Sequence, residues 1–409
     1  MLECVIVGGG IHGTYLTQRL LEETGLDREA VAIVDPHERL LESFRRKAHA
    51  CGMESLRSTF VHHVGTEPFG LEDFAEARDR EDELRPRAAY PPAPTLSLFL
   101  DYADYVIDRN DLETLHLRAA VESIGLEKDG TVSLETDACK LRARSCVLAI
   151  GHGGRYRYPA WAADVDGLTH VWDGEFDPDD ASEETIVVGG GVTAAQLATH
   201  LTGSTQTTLL ARHDLEAATI EADARWINWN HITDRLHRHP PGSKRRHEVV
   251  CAARNDGTIP PALLERLESA VETGELTRQT GSVRSARTVD GRVRLLLEEG
   301  GCLSAEQVML ATGFEPVLEH PFVEQVATRC GLERGYRGMP ILDDETLCWR
   351  TTEGRASPIY VSGALAVGTV GPLAGNIAGA RRAADRITDA IDHGRPAQPI
   401  SQASISQNA

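Results

Sequence analysis

Cys4-Val-Ile-Val7 runs directly into Gly8-Gly-Gly-Ile-His-Gly13, and a helical stretch follows to Leu21. Four apolar residues bounded by glycine have the length of a buried strand. A strand that passes straight into Gly-x-Gly-x-x-Gly turns tightly, with no side chain in the way. Backbone N–H groups and the helix N-terminus then face a pyrophosphate. Gly8, Gly10 and Gly13 supply the three glycines. A second strand, Val31-Ala-Ile-Val34, ends at Asp35, about 20 residues past the last glycine, where a carboxylate accepts a ribose hydroxyl. The stretch reads as a βαβ unit that binds a dinucleotide.

The same order recurs downstream. Thr185-Ile-Val-Val188 enters Gly189-Gly-Gly-Val-Thr-Ala194, a helix runs to Leu201, and the strand Thr207-Thr-Leu-Leu210 ends near Arg212. Gly189 and Gly191 repeat the first two glycines, and Ala194 stands at the third, where a methyl still permits helix–strand packing. No acid ends the second strand. Ala211-Arg212-His213 stands there, and an Arg pairs with a 2′-phosphate where a carboxylate would favour the free hydroxyl. The first site therefore suits FAD and the second NADPH. Each half then carries an Asp-Gly hairpin turn, Asp129-Gly130 and Asp290-Gly291, and closes on an apolar strand and a glycine, Gly151 and Gly313. The closing glycines lie nearer each other than the opening ones, so the first half holds extra residues between Leu40 and Asn110. Repetition of a whole series of elements is stronger evidence than either glycine motif alone.

These patterns predict an α/β protein with two Rossmann-like dinucleotide-binding domains, for FAD and NADPH, each with a β-meander insertion. The expected FAD domain is discontinuous, 1–165 plus 306–393, with an NAD(P) domain at 166–305 and a flexible tail at 394–409. The 409-residue chain has the length for this arrangement. Its net charge of −20 makes nucleic acids and anionic membranes poor partners. Only four of the basic residues are lysines: Lys47, Lys128, Lys140 and Lys244. That composition fits a salt-adapted host or a GC-rich genome and says nothing of catalysis. The eight cysteines include no Cys-x-x-Cys pair, so neither a metal knuckle nor a dithiol redox motif is expected. With a strand at the N-terminus and no membrane-length apolar run, the expectation is a cytoplasmic protein.

Further stretches carry a resemblance. Met53-Glu-Ser-Leu-Arg-Ser58, with Phe60, His62-His63 and Leu71 to Phe74, is similar to the FAD-domain segment of lysine and ornithine N-hydroxylases. Pro94 to Tyr105 resembles their following helix. Ala311-Thr-Gly-Phe314 resembles the linker strand that returns the chain to the FAD domain in this group. Gly363 and Gly371-Pro-Leu-Ala-Gly-Asn-Ile-Ala-Gly379 resemble a C-terminal FAD motif in which a helix N-terminus faces the flavin pyrimidine. The chain thus resembles two-domain flavoproteins, the N-hydroxylases and flavin-containing monooxygenases above all. The C-terminal motif is nearer the broad reductase and monooxygenase pattern than that of amino-acid N-hydroxylases, and the longer signature of flavin-containing monooxygenases is missing.

The resemblance implies that Arg57, Thr312, Gly313, Gly363, Gly371 and Pro372 join the glycine-loop residues in cofactor binding. It also implies that Asn376, at the start of the last helix, donates a hydrogen bond in catalysis; a helix cap is the plain alternative. The implied reaction is NADPH-driven hydroxylation of a nucleophilic nitrogen or sulfur of a small amine or thioether by dioxygen, through a flavin hydroperoxide. Two readings stand beside it: a reductase passing electrons to a quinone or iron–sulfur partner, and a flavin-binding protein without turnover. No metal site is expected, and a homo-oligomer is compatible with the group. Trp226, Trp229 and His231 read as a pocket wall or as one half-buried helix face. Lys244-Arg-Arg-His247 reads as a phosphate contact or a solvated loop.

Overall fold

The computed structural model describes residues 1–394 except Ala89 and Glu175. Apart from Gly394, the tail expected at 394–409 lies outside the described residues. Two parallel sheets dominate. The first runs in the order Cys348–Arg350, Ala356–Val361, Lys140–Leu148, Leu2–Val7, Val31–Asp35, His116–Arg118. Leu2–Val7 sits in the interior of this sheet, parallel to both neighbours, and Cys4, Val5 and Ile6 are wholly buried. A strand covered on both faces reads as an unbroken apolar run, which is why Cys4–Val7 is legible without alternation. The antiparallel strands Val121–Leu126 and Val132–Thr136 continue from Lys140–Leu148 as the first meander.

The second sheet has the order Leu276–Thr280, Gln206–Ala211, Glu184–Val188, Gln307–Leu310, Leu168–His170, all parallel. Beside it lies a separate antiparallel meander, Val283–Val289, Arg292–Leu297 and Cys302–Ala305. Its first turn places Asp290 at φ 53° and Gly291 at φ 73°. Two successive positive φ values mark the tight hairpin turn for which Asp-Gly is suited.

One expected boundary moves. The division at 306 assigns Gln307–Leu310 to the first domain, yet this strand pairs with Glu184–Val188 and Leu168–His170 in the second sheet. The return to the first domain comes after Leu310. The repeat explains why: Lys140–Leu148 closes the first sheet against Leu2–Val7, and Gln307–Leu310 does the same for the second against Glu184–Val188.

The extra residues of the first half form helices Glu42–Ala50, Gly70–Glu76 and Leu96–Arg109. The last is capped by Thr95, whose hydroxyl accepts from the Leu98 N–H at 3.1 Å. Leu71, Leu98, Phe99 and Tyr102 give this region its own apolar cluster. The chain crosses between the domains twice, and the crossings are hydrogen-bonded to each other. Arg157 N–H donates to Gly313 O at 2.9 Å and Glu315 N–H to Arg155 O at 3.0 Å, with Tyr156 opposite Phe314. No helix among the described residues is long and apolar enough to cross a membrane.

Candidate dinucleotide sites and the cleft between them

The parallel strands of the first sheet bring Gly8, Asp35, the 149–154 loop and Gly363 to one edge, at their C-terminal ends. In open α/β sheets that edge is where ligands bind. Gly8 has φ 113°, and a Cβ there would stand 2.4 Å from Ala149 O. A Cβ on Gly13 would stand 1.9 Å from Gly8 O, so the helix Ile11–Glu23 can approach the loop only without one. Gly10 differs, because nothing lies within 4 Å of its Cβ position. That space is a cradle that any side chain would fill, beside a helix whose N-terminus has no side-chain cap and no acid in its first turn. Its free N–H groups suit an anion.

Asp35 is fixed on the same edge. Gly9 N–H donates to Oδ2 at 2.7 Å, and Oδ1 receives the His37 N–H at 2.9 Å and the His37 ring at 2.6 Å. Burial pushes the Asp35 pKa up, but these hydrogen bonds outweigh it and hold the carboxyl below its usual range. The residue is a fixed, ionised acceptor. Pyrophosphate on the loop and a ribose on this carboxylate are both compatible with the residues present.

The second loop repeats the geometry with one change. Gly189 approaches Ala311 O, where a Cβ would stand at 2.5 Å, and Gly191 is as open as Gly10. The helix Val192–His200 likewise starts without a side-chain cap. Ala194 is buried at the third position. Ala211 ends the strand Gln206–Ala211 where the first sheet has Asp35, and the exposed Arg212 follows it.

The remaining expected residues divide between cleft and domain junction. Gly363 and Gly371 take φ values of 82° and 89°, and Trp226 closes on Gly371, whose Cβ would be 3.2 Å from the indole. Pro372 O accepts from Arg254 at 3.1 Å. Asn376 begins the helix Ile377–His393 without capping it; its amide donates instead to Glu221 at 2.8 Å. Arg57 faces across the junction and donates to Thr219 O, Ala218 O and both oxygens of Thr258. Thr312 donates its hydroxyl to Arg157 O, and Gly313 O takes the Arg157 N–H, so both belong to the paired crossings.

Two further expectations resolve. Trp226 lies in a turn before the short helix that carries Trp229 and His231. It packs edge-on against His231, while Trp229 packs on His237. Lys244–Ala253 is a helix, and its Arg246 is neither a phosphate contact nor solvated. Fully buried, it holds Asp344 through two hydrogen bonds of 2.6 Å and also donates to His239 O and Gly368 O.

Three residues of the cleft had not been singled out. His12, inside the first glycine loop, holds Ser362 Oγ at 2.9 Å through Nδ1, while its buried Nε2 has no hydrogen-bond partner among the described residues. Burial lowers its pKa to about 4. His152 stacks on Phe314 at 4.4 Å; burial, then Lys47 and Arg254, bring it to about 4 as well. Lys47 Nζ lies 5.4 Å from the centroid of the Phe314 ring, and burial lowers its pKa to about 8. A histidine inside a glycine loop was a readable signal; the other two meet only in three dimensions. All eight cysteines are free, with Cys139 exposed and Cys146 buried. Among the described residues no group of three or more His, Cys, Asp or Glu is arranged to hold a metal.

Residues 5–153 match the family model described as FAD-NAD(P)-binding. No curated protein matches the sequence. Among solved structures, the chain is similar to the ornithine N-hydroxylase of Kutzneria sp. 744, with a TM-score of 0.77 and 17% identity, covering 97% of this chain and 100% of that one. It is similar to the L-lysine 6-monooxygenase of Pseudomonas syringae, with a TM-score of 0.73 and 15% identity over 97% and 100% of the two chains. The bacillithiol disulfide reductase of Staphylococcus aureus follows with a TM-score of 0.64 and 14% identity over 97% and 99%. With two register-matched glycine loops, a family-model match across the first, and these neighbours over its whole length, the chain has the fold of flavoproteins built from two dinucleotide-binding domains.

Proposed function

We propose that the chain is a FAD-dependent, NADPH-consuming monooxygenase that hydroxylates a nucleophilic nitrogen or sulfur of a small molecule. The observation that carries this is the asymmetry of the duplicated loops: a fixed carboxylate, Asp35, ends the second strand of the first, and Ala211 followed by Arg212 ends that of the second. With one dinucleotide on each loop, NADPH at the second would supply the electrons for a flavin at the first. The hydroxylation of ornithine and lysine by the neighbours supports an amine as substrate.

Bound FAD, reduced by NADPH, supplies the activation of dioxygen. The chain supplies the rest. The N–H groups of the Gly10–Gly13 turn, at the uncapped helix start, would hold pyrophosphate, and Asp35 would accept ribose hydroxyls. Gly189 lets the loop close on Ala311, Gly191 would leave room for the second pyrophosphate, and Arg212 would take its 2′-phosphate. Oxygen transfer needs a site that excludes water. Arg57 serves this by closing the junction of the domains, together with the Arg266–Glu54 pair at 2.6 Å. Gly363, Gly371 and Pro372 complete the FAD edge, with Asn376 at the flavin end. The domains we propose are 1–165 with the segment after Leu310 for FAD, and the segment between for NADPH.

The sequence carries no Cys-x-x-Cys pair, which weighs against a reductase of the dithiol type. The test is to purify the protein with FAD and record its visible spectrum. Anaerobic NADPH should bleach the flavin faster than NADH. In air, NADPH consumption with L-ornithine, L-lysine or cadaverine should yield a hydroxylated amine. Rapid quinone reduction without any hydroxylated product overturns the monooxygenase, and absence of flavin overturns the whole reading.

A further inference from the structure

The strand registers align the two nucleotide sites residue by residue. Val7 pairs with Val34 in the first sheet, and Val188 pairs with Leu210 in the second. Asp35 therefore corresponds to Ala211, Pro36 to Arg212 and His37 to His213. In the first site the Asp35 carboxyl carbon lies 3.4 Å from the Cβ position of Gly9. In the second the His213 imidazole takes that place, with Cε1 at 3.2 Å and Nε2 at 3.4 Å from the Cβ position of Gly190. The ring also lies against Gly257, with Nε2 at 3.7 Å from its Cβ position.

The orientation of the ring is set. His213 Nδ1 is 2.9 Å from Asp214 O, a carbonyl that only accepts, so Nδ1 carries a hydrogen, and Nε2 becomes a donor to an anion when the ring takes up its second proton. The charges nearby are Arg212, one residue before; Asp214, whose carboxylate receives the Thr280 hydroxyl at 3.4 Å; and Asp256, which is paired with Arg254 at 2.7 Å. Among the described residues no carboxylate forms an ion pair with His213 or Arg212. Two cation-forming side chains thus stand where the first site has an acid.

We propose that His213 is a second ligand of the nucleotide 2′-phosphate, acting with Arg212 to select the phosphorylated dinucleotide. This rests on the reading of the second loop as a nucleotide site. A phosphate dianion offers three acceptor oxygens, enough for a guanidinium and an imidazolium at once. His213 is then a specificity residue, distinct from the glycine loop, which serves either nucleotide.

The test uses FAD-loaded protein and two fragments, 2′,5′-ADP and 5′-AMP, titrated by calorimetry. The wild type should prefer 2′,5′-ADP by about tenfold or more. His213→Phe keeps a ring against Gly190 without a nitrogen, and should cut that preference about fivefold while 5′-AMP binding holds. His213→Lys should restore it. Equal weakening of both fragments by His213→Phe would mean a packing role, loss for 5′-AMP alone would mean a ribose acceptor, and either result overturns the proposal, as does no change. A wild type that binds neither fragment overturns the nucleotide reading beneath it.

Discussion

The two glycine loops are near copies in backbone and opposites in electrostatics. Both leave an open position, Gly10 and Gly191, beside an uncapped helix N-terminus. They part at the end of the second strand, where one presents a carboxylate held by the loop itself and the other presents Ala211, Arg212 and an imidazole. On the function proposed above, the shared geometry would hold a pyrophosphate at both sites, and the residues that differ would choose the nucleotide. The net charge of −20 does not oppose this, because such selection acts within a few ångströms.

The sharpest way to break the comparison is to fill each cradle in turn. Gly10→Val should abolish FAD retention, a loss of about 100-fold or more in affinity, because it puts a side chain where the pyrophosphate approaches. Gly191→Val should leave the flavin in place and abolish its reduction by NADPH. Flavin absorbance after gel filtration, and anaerobic bleaching, read the two. If either variant loses both functions while remaining folded, the sites are not separate.

Ala211→Asp restores the carboxylate that the first site has. A 2′-phosphate then faces a like charge, and the NADPH-to-NADH preference should fall by about 10- to 100-fold, or about 1.4–3 kcal/mol. Initial rates of flavin reduction with each nucleotide measure this. A smaller effect comes from exchanging the third loop residues. Gly13→Ala forces a methyl to within 1.9 Å of Gly8 O and should cost about 1–3 kcal/mol of stability. Ala194→Gly should cost about 1 kcal/mol, from helix propensity. Urea melts of the two variants should differ in that order.

The smallest contrast is in pH. Burial lowers His12, His62 and His152 to about 4 and His63 to about 3, all in the first domain or its edge, whereas in the second it lowers His170 to about 4 and lowers His237 and His239 as well. Each has a folded pKa below its unfolded value near 6.5, so the unfolded chain takes up the proton first as pH falls. Stability is complete above about pH 6.5 and lost progressively toward pH 4. Melting followed through flavin release should therefore drop between pH 7 and 5, and His63→Gln should flatten that drop. A melting temperature constant over this range would remove the argument.

Much of the fold was legible because the informative signals are local. Short apolar strands, glycines at close approaches and an Asp-Gly turn each reflect a constraint within a few residues. The boundary at 306 failed because Gln307–Leu310 continues directly into the crossing, and only the pairing with Glu184–Val188 shows where it belongs. Arg246 was unreadable for a related reason. Its partner Asp344 lies far along the chain, and nothing near Lys244 distinguishes a buried guanidinium from a solvated one. At the site, the glycines and Asp35 were visible, while the contacts of His152 and Lys47 with Phe314 needed three remote segments to meet. Arg57 was singled out by its motif, but its partners across the junction were not.

The paired crossings have a consequence for assembly. Because residues 155–157 and 313–315 are hydrogen-bonded side by side, the inserted domain leaves the host where it entered. Once that domain has folded, the host sees a closed loop with a narrow neck instead of a long open one. Strand Ala356–Val361 must still find Lys140–Leu148 from the far side of the insertion, and the neck reduces the chain entropy lost in that search. A second domain that folds first would therefore bring the two parts of the first within reach.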